Sequence, residues 1–186
     1  MKRAFDFLFS IILIIILFIP SILIAILIRI TSKGQAFHWS KRVGKNNIIF
    51  KMPKFRTMKI NTPQLATHLF KNSSNALTPI GNFLRKYSLD EIPQLWSILK
   101  GDMSFVGPRP ALFNQTDLIQ LRSNHGVEKI LPGLTGWAQV NGRDNLAIED
   151  KVAKDIEYLL QSSFLFDLKI LWLTIRKVIR KDGVSH

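Results

Sequence analysis

Ser88-Leu89-Asp90-Glu91-Ile92-Pro93-Gln94-Leu95-Trp96 sets two adjacent carboxylates immediately ahead of an apolar helical stripe. Ile92, Leu95, Trp96 and Leu99 form that stripe, and Gly101 ends it. Ser88 and Glu91 have the Ser-x-x-Glu spacing of a capping box. Pro93 clashes with the preceding turn if it lies deep in the helix and is well placed if it is the first helical residue. Either register leaves Asp90 and Glu91 at the helix mouth. Unpaired N–H groups and the macrodipole favour anions there. A nucleophilic carboxylate would stay ionised at that position, and a phosphoryl group bonded to it would be stabilised. On spacing alone, the plainer reading is favoured: Glu91 only a cap and Asp90 only a first-turn acid.

Charge narrows the partners. The 186 residues carry 26 Lys and Arg against 13 Asp and Glu, a formal net charge of +13. A chain so basic meets anions: phosphate ligands, nucleic acid or an acidic membrane face. It has no cysteine, which excludes disulfides, thiolate metal sites and cysteine nucleophiles. His38, His68, His125 and His186 lack metal-ligand spacing. The length fits one domain outside the first apolar run.

That run, Phe7 to Ile28, has no charged residue and is interrupted only by Ser10, Pro20 and Ser21. A straight helix of this length could cross a hydrocarbon core. Pro20 removes a backbone hydrogen bond and bends the helix, with Ser21 beside it to bond a freed carbonyl. Both flanks are basic: Lys2 and Arg3 before, Arg29, Lys33, Lys41, Arg42 and Lys45 after. A crossing helix usually shows a charge asymmetry. Basic residues on both sides suit a helix that enters, kinks and returns, which requires the protein to satisfy the broken backbone. Read from the residues alone, a spanning anchor and a re-entrant one stand level.

Beyond a short linker at 31–35, residues 47–58 read as an extended segment that Pro53 confines to a sheet edge. Residues 61–77 read as a short helix and a polar loop. Thr78-Pro79 reads as the cap and first residue of a helix to about Lys86. Gly107-Pro108-Arg109-Pro110 is a rigid turn holding one arginine between two prolines. Helices are expected over 111–123, 147–161 and 164–181, with a glycine-rich stretch from Pro132 to Arg143 between them. The last helix mixes aromatics and leucines with Lys169, Arg176, Lys177, Arg180 and Lys181, the make-up of an interfacial helix or of a core helix with a basic end.

Lys54, Arg56, Arg85, Arg109 and Arg143 thus stand with Asp90 and Glu91 on rigid or glycine-rich turns. One acid pair among many cations suits diphosphate chemistry. Arginine forks bind phosphate oxygens, a divalent metal shields charge, and one acid attacks phosphorus.

The chain also resembles a known family. Lys54-Phe55-Arg56-Thr57-Met58, Ser88 to Trp96, Lys100-Gly101-Asp102-Met103-Ser104-Phe105-Val106-Gly107-Pro108-Arg109-Pro110 and Pro132-Gly133-Leu134-Thr135-Gly136-Trp137 are similar, in one order, to the motifs of bacterial sugar transferases, the monotopic phosphoglycosyl transferases. The resemblance implies transfer of a phospho-sugar from a UDP-sugar to undecaprenyl phosphate, giving undecaprenyl-diphosphate-sugar and UMP, in two steps with Mg²⁺. It makes Asp90 the nucleophile of a phosphosugar–aspartate intermediate and gives Glu91 a role toward Mg²⁺ or the acceptor. Both acids are thereby expected near the metal. Lys54, Arg56, Arg85, Arg109 and Arg143 become substrate contacts. The reaction would begin a lipid-linked glycan: O-antigen, capsule, exopolysaccharide or glycoprotein glycan.

The expected fold class is α/β and mostly helical. Residues 1–30 form a re-entrant membrane helix broken at Pro20-Ser21, where the family has the order Ser-Pro. Residues 31–186 form a compact catalytic domain on the cytoplasmic face of the bacterial inner membrane. Longer relatives carry extra amino-terminal spans, and this chain looks like the minimal form. The implied partners are the UDP-sugar, undecaprenyl phosphate, the membrane and downstream glycosyltransferases, without nucleic acid. Two other readings make different demands. A non-catalytic anchored basic module, binding anionic lipid or nucleic acid, needs no Asp-Glu pair. A nucleotide-diphosphate hydrolase would release UMP without a lipid acceptor.

Overall fold

The computed structural model describes residues 1–60, 62, 76–142 and 146–180. The helix and loop expected over 61–77, and Arg143, lie largely or wholly outside them.

The apolar amino-terminal run forms two helices, α1 (Lys2–Ile16) and α2 (Phe18–Thr31), bent by 60°. The break falls at Leu17, three residues before Pro20. Proline has no N–H to give to the carbonyl four residues back, here that of Ile16, so the ladder fails one turn ahead of the ring. The backbone N–H of Ser21 resumes it by donating to Leu17 O at 2.9 Å. Among the described residues the Ser21 hydroxyl contributes no such bond, contrary to the sequence expectation. No single described helix is long and apolar enough to cross a membrane.

Both ends of the bent pair are tied to the same body. At the α1 end, Lys2 Nζ donates to Val106 O and Tyr158 Oη at 2.9 Å each and pairs with Asp167. Arg3 donates to Ile98 O and Leu99 O. Asp6, 2 % exposed, accepts the Phe105 N–H. At the α2 end, the Arg56 guanidinium donates to the carbonyls of Ser32 and Lys33 and to the Ser32 hydroxyl. Lys2 and Arg3, read from sequence as basic flanks, therefore turn inward.

Strands β1 (Phe37–Val43) and β2 (Ile49–Phe55) form an antiparallel hairpin with Trp39 opposite Pro53. A two-stranded sheet leaves every strand an edge, so Pro53 is accommodated as expected. Asn46 and Asn47 turn the chain in the left-handed region, which asparagine tolerates. β1 itself was not foreseen in the sequence.

α3 (Gly81–Lys86) begins later than Thr78-Pro79 suggested. Thr78 is taken by Thr57, whose carbonyl accepts both its N–H and its hydroxyl. The carboxylate segment is a tight 3-10 turn, Leu89–Gln94, followed by α4 (Leu95–Lys100). No capping box forms: Ser88 is left-handed, φ +54°, and its side chain makes no cap bond. Pro93 inside the turn has no N–H for an α-helical bond. The six-residue turn thus lends little macrodipole to the acids.

β3 (Ser104–Val106) pairs in parallel with β4 (Gly133–Thr135). The glycines of both motifs permit this approach: a Cβ on Gly133 would lie 2.1 Å from Gly107 N, and one on Gly136 2.1 Å from Gly107 O. α5 (Thr116–Asn124) starts later than the expected 111 because Val43 N–H claims Ala111 O and draws that segment to the hairpin. α6 (Trp137–Val140), α7 (Ile148–Gln161) and α8 (Phe164–Arg180) follow, the last two close to expectation. The main core joins Met52, Leu95, Ile98, Met103, Phe105, Tyr158 and Ile170, with Phe5, Phe9 and Leu13 of α1 packed on it. Among the described residues the architecture is α/β and mostly helical, with two small sheets.

Candidate active site

β2 and the 3-10 turn bring Lys54 to the acid pair. Lys54 Nζ lies 2.8 Å from Glu91 Oε1 and 3.8 Å from Asp90 Oδ2. From the opposite side Arg109 Nη2 reaches the same Glu91 oxygen at 3.2 Å. Among the described residues Glu91 is therefore held by Lys54 and Arg109, whereas Asp90, 8 % exposed, has one longer ion pair. Burial pushes the Asp90 carboxyl above its usual range. Lys54 opposes this, Glu91 adds to it, and Arg85 and Arg109 oppose it more weakly.

Arg85 is set on α3, its Nε donating to the buried Thr57 hydroxyl at 3.0 Å. Burial lowers Arg85 from its usual value, and Asp90 offsets part of that. His38 was not singled out from the sequence. The hairpin register places it opposite Lys54, on the same sheet face. Burial of part of the ring, then Arg42 and Lys54, push its imidazole below the ordinary value. Of the expected residues, Lys54, Arg85, Asp90, Glu91 and Arg109 converge. Arg56 instead spends its guanidinium on the end of α2.

A cleft of about 460 Å³ opens beside the acid pair, with Glu91 in its lining. Glu91, Arg109, Ser88 and Lys86 line its polar end. Leu13 and Leu17, at the break in the bent pair, line its apolar length with Leu134 and Val140, and so do Leu171, Ile175 and Val178 of α8. Lys177 adds a further cation. The sequence suited α8 equally to an interfacial helix and to a core helix with a basic end, and nothing in it connected α8 to the acids.

The arrangement can hold a phosphate among arginine and lysine donors while a buried carboxylate faces it. A family model described as bacterial sugar transferase matches residues 1–181. The chain belongs to the bacterial sugar transferase family. Among its relatives, the sugar transferase EpsL of Bacillus subtilis (strain 168) is 37 % identical over 186 residues, covering all of this chain and 91 % of the relative. The exopolysaccharide production protein ExoY of Sinorhizobium fredii is 35 % identical, covering 98 % and 87 %. The UDP-glucose:undecaprenyl-phosphate glucose-1-phosphate transferase of Escherichia coli (strain K12) is 36 % identical over 95 % of this chain, which spans 40 % of that protein. Those relatives place bacterial sugar transferases in exopolysaccharide production and in sugar-phosphate transfer to a lipid carrier.

Among the described residues of this bacterial sugar transferase no cluster of three or more His, Asp or Glu could hold a metal. Asp90 and Glu91 nevertheless supply hard oxygen donors. Mg²⁺ commonly uses one or two carboxylates and takes the remaining ligands from substrate phosphates and water. The donor set fits such an ion, and a cation there would relieve the cost of burying the Asp90 charge.

Proposed function

We propose that this chain transfers a phospho-sugar from a UDP-sugar to undecaprenyl phosphate, releasing UMP. One observation carries the reading: Glu91 of the acid pair, held by Lys54 and Arg109, lines a cleft whose apolar wall is built in part by Leu13 and Leu17 of the bent helix pair and by Leu171, Ile175 and Val178 of α8. An isoprenoid phosphate has that shape and polarity, one charged end and a long hydrocarbon. Relatives named for transfer of glucose or galactose phosphate to undecaprenyl phosphate support the same reaction class.

In the first step an Asp90 carboxylate oxygen bonds to the β-phosphorus of the UDP-sugar. The bond from that phosphorus to the bridging oxygen breaks, and UMP leaves with the electron pair. In the second step a phosphate oxygen of the acceptor bonds to the same phosphorus and the acyl phosphate bond breaks, returning Asp90 as a carboxylate. Splitting one transfer into two displacements is the gain from a covalent carrier. Asp90 suits attack because its one ion pair is long, while Glu91 is committed to Lys54 and Arg109. Lys54, Arg85 and Arg109 neutralise charge on the diphosphate, and Arg143 is assigned the same role from the resemblance. Arg56 serves the site indirectly, by fixing the end of α2. Asp90 and Glu91 would hold a bound Mg²⁺, which would supply charge neutralisation to the phosphate groups.

Residues 1–30 act as a re-entrant membrane element. Support comes from the tethering of both its ends to one body and from its exposed Leu8, Ile12, Ile15, Ile19, Leu23 and Leu27. Residues 31–186 act as the catalytic domain, on the cytoplasmic face of the inner membrane, starting a glycan that further glycosyltransferases extend. A panel of UDP-sugars, each with and without undecaprenyl phosphate in detergent, tests the reaction. Stoichiometric UMP release with formation of the lipid diphosphate is expected. Continuous UMP release without acceptor makes the protein a hydrolase. No release from any UDP-sugar removes the enzyme reading and leaves the basic module.

A further inference from the structure

Arg109 lies between Pro108 and Pro110, so two of the three residues of its turn have no N–H. Such a turn has to be held through its carbonyls. Pro108 O accepts the Gly133 N–H at 2.9 Å, and Pro110 O accepts Arg42 Nη1 at 3.1 Å. Arg109 O accepts Arg122 Nη1 at 2.8 Å. The other edge of the same guanidinium, Nε and Nη2, donates to Asp155 Oδ2 at 2.9 and 2.6 Å. Arg122 is 8 % exposed and Asp155 1 %.

A buried ion pair of this kind is weak evidence for stability, since desolvation offsets most of the attraction and an apolar replacement of similar volume is often neutral or better. Its stability contribution does not account for it. What the apolar replacement could not supply is a donor aimed at the Arg109 carbonyl. We infer that Arg122, oriented by Asp155, is a positioning residue for Arg109. Together the pair joins α7 and α5 to the backbone of the residue whose side chain meets Glu91. The inference rests on the proposed transfer reaction for its kinetic consequence but not for its structural one.

Two variants separate positioning from folding. Arg122→Met with Asp155→Leu replaces the pair by apolar side chains and removes the donor. Arg122→Lys keeps a cation for Asp155, but a single nitrogen cannot stand at both edges of the guanidinium. Thermal melts report folding. UMP-release kinetics and the rate at which phenylglyoxal modifies Arg109, read by peptide mass spectrometry, report positioning.

The double variant is expected to melt at or above the wild type. It is expected to lose kcat by on the order of tenfold to a hundredfold, with KM little changed, and to expose Arg109 to faster modification. Arg122→Lys should move both readouts in the same direction, and it decides the matter if the double variant melts early. Wild-type kcat and wild-type Arg109 reactivity in a folded variant overturn the inference. If the wild type releases no UMP from any UDP-sugar, the transfer reading falls, and Arg109 reactivity still decides the positioning role.

Discussion

Two neighbouring carboxylates in this chain have different surroundings. Glu91 is clamped by Lys54 and Arg109, while Asp90 is buried with one long ion pair. Asp90→Asn should abolish turnover while the protein still folds. A UDP-sugar labelled in the sugar, offered without acceptor, should leave label on the wild-type peptide containing Asp90 and none on the variant. The stability sign follows from the raised pKa. The folded state holds the Asp90 proton more tightly than the unfolded chain, so ionising Asp90 costs stability as pH rises through that window. Asp90→Asn, which has no charge to bury, should melt at or above the wild type at neutral pH. A clear drop in its melting temperature would contradict this. The acid limb of kcat/KM should lie above the ordinary carboxylate range, because attack needs the carboxylate. Arg109→Lys should cost about 2–4 kcal/mol of transition-state stabilisation, read from kcat/KM, since a point charge replaces a planar fork at a phosphate. Near-wild-type turnover in a folded Arg109→Lys protein would make Arg109 structural.

At the scale of elements, local signals were legible and long-range ones were not. The hydrophobic pattern located the last two helices, and Pro20 foretold a break. That break sits at Leu17 because the missing N–H is felt four residues upstream. The acid pair and the Pro-Arg-Pro turn were evident as motifs. Their partners were not: Lys54 meets Glu91 across 37 positions, and Arg122 meets Asp155 across 33. The capping box failed because its Ser88 is left-handed, a conformation the Ser-x-x-Glu spacing cannot report. Arg56 looked like a phosphate contact because its motif is basic, whereas the carbonyls it satisfies belong to a helix end 23 or 24 residues earlier. Pro20→Ala restores the N–H that Ile16 O lacks. It should straighten α1 and α2 into one helix and lower the fraction of protein with wild-type activity, even though no residue of the acid pair is touched. Unchanged activity would mean that the bend is fixed by tertiary contacts and not by the proline.

The whole molecule ties its bent helix pair to its core and candidate site at both ends. Lys2, Arg3 and Asp6 engage β3, α4, α7 and α8, and Arg56 engages the end of α2. A helix crossing the bilayer would have to leave one of these tethers on the far side, taking from the buried Asp167 its cation Lys2 or from the Arg56 guanidinium the acceptors at the end of α2. The clamp therefore argues for both ends on one face, independently of the charge flanks, since Lys2 and Arg3 are engaged internally. The chain has no cysteine, so single introduced thiols report position without interference. Ala4→Cys, Gln35→Cys and Lys100→Cys mark the start of α1, the segment after α2 and the body. In intact cells all three should resist a membrane-impermeant thiol reagent, and in inverted vesicles all three should react. Reaction of Ala4→Cys in intact cells, with Gln35→Cys protected, would place the two ends on opposite faces. The clamp at Lys2 would then have to be open in the membrane, and the cleft that Glu91 lines would lose the part of its wall that Leu13 and Leu17 form.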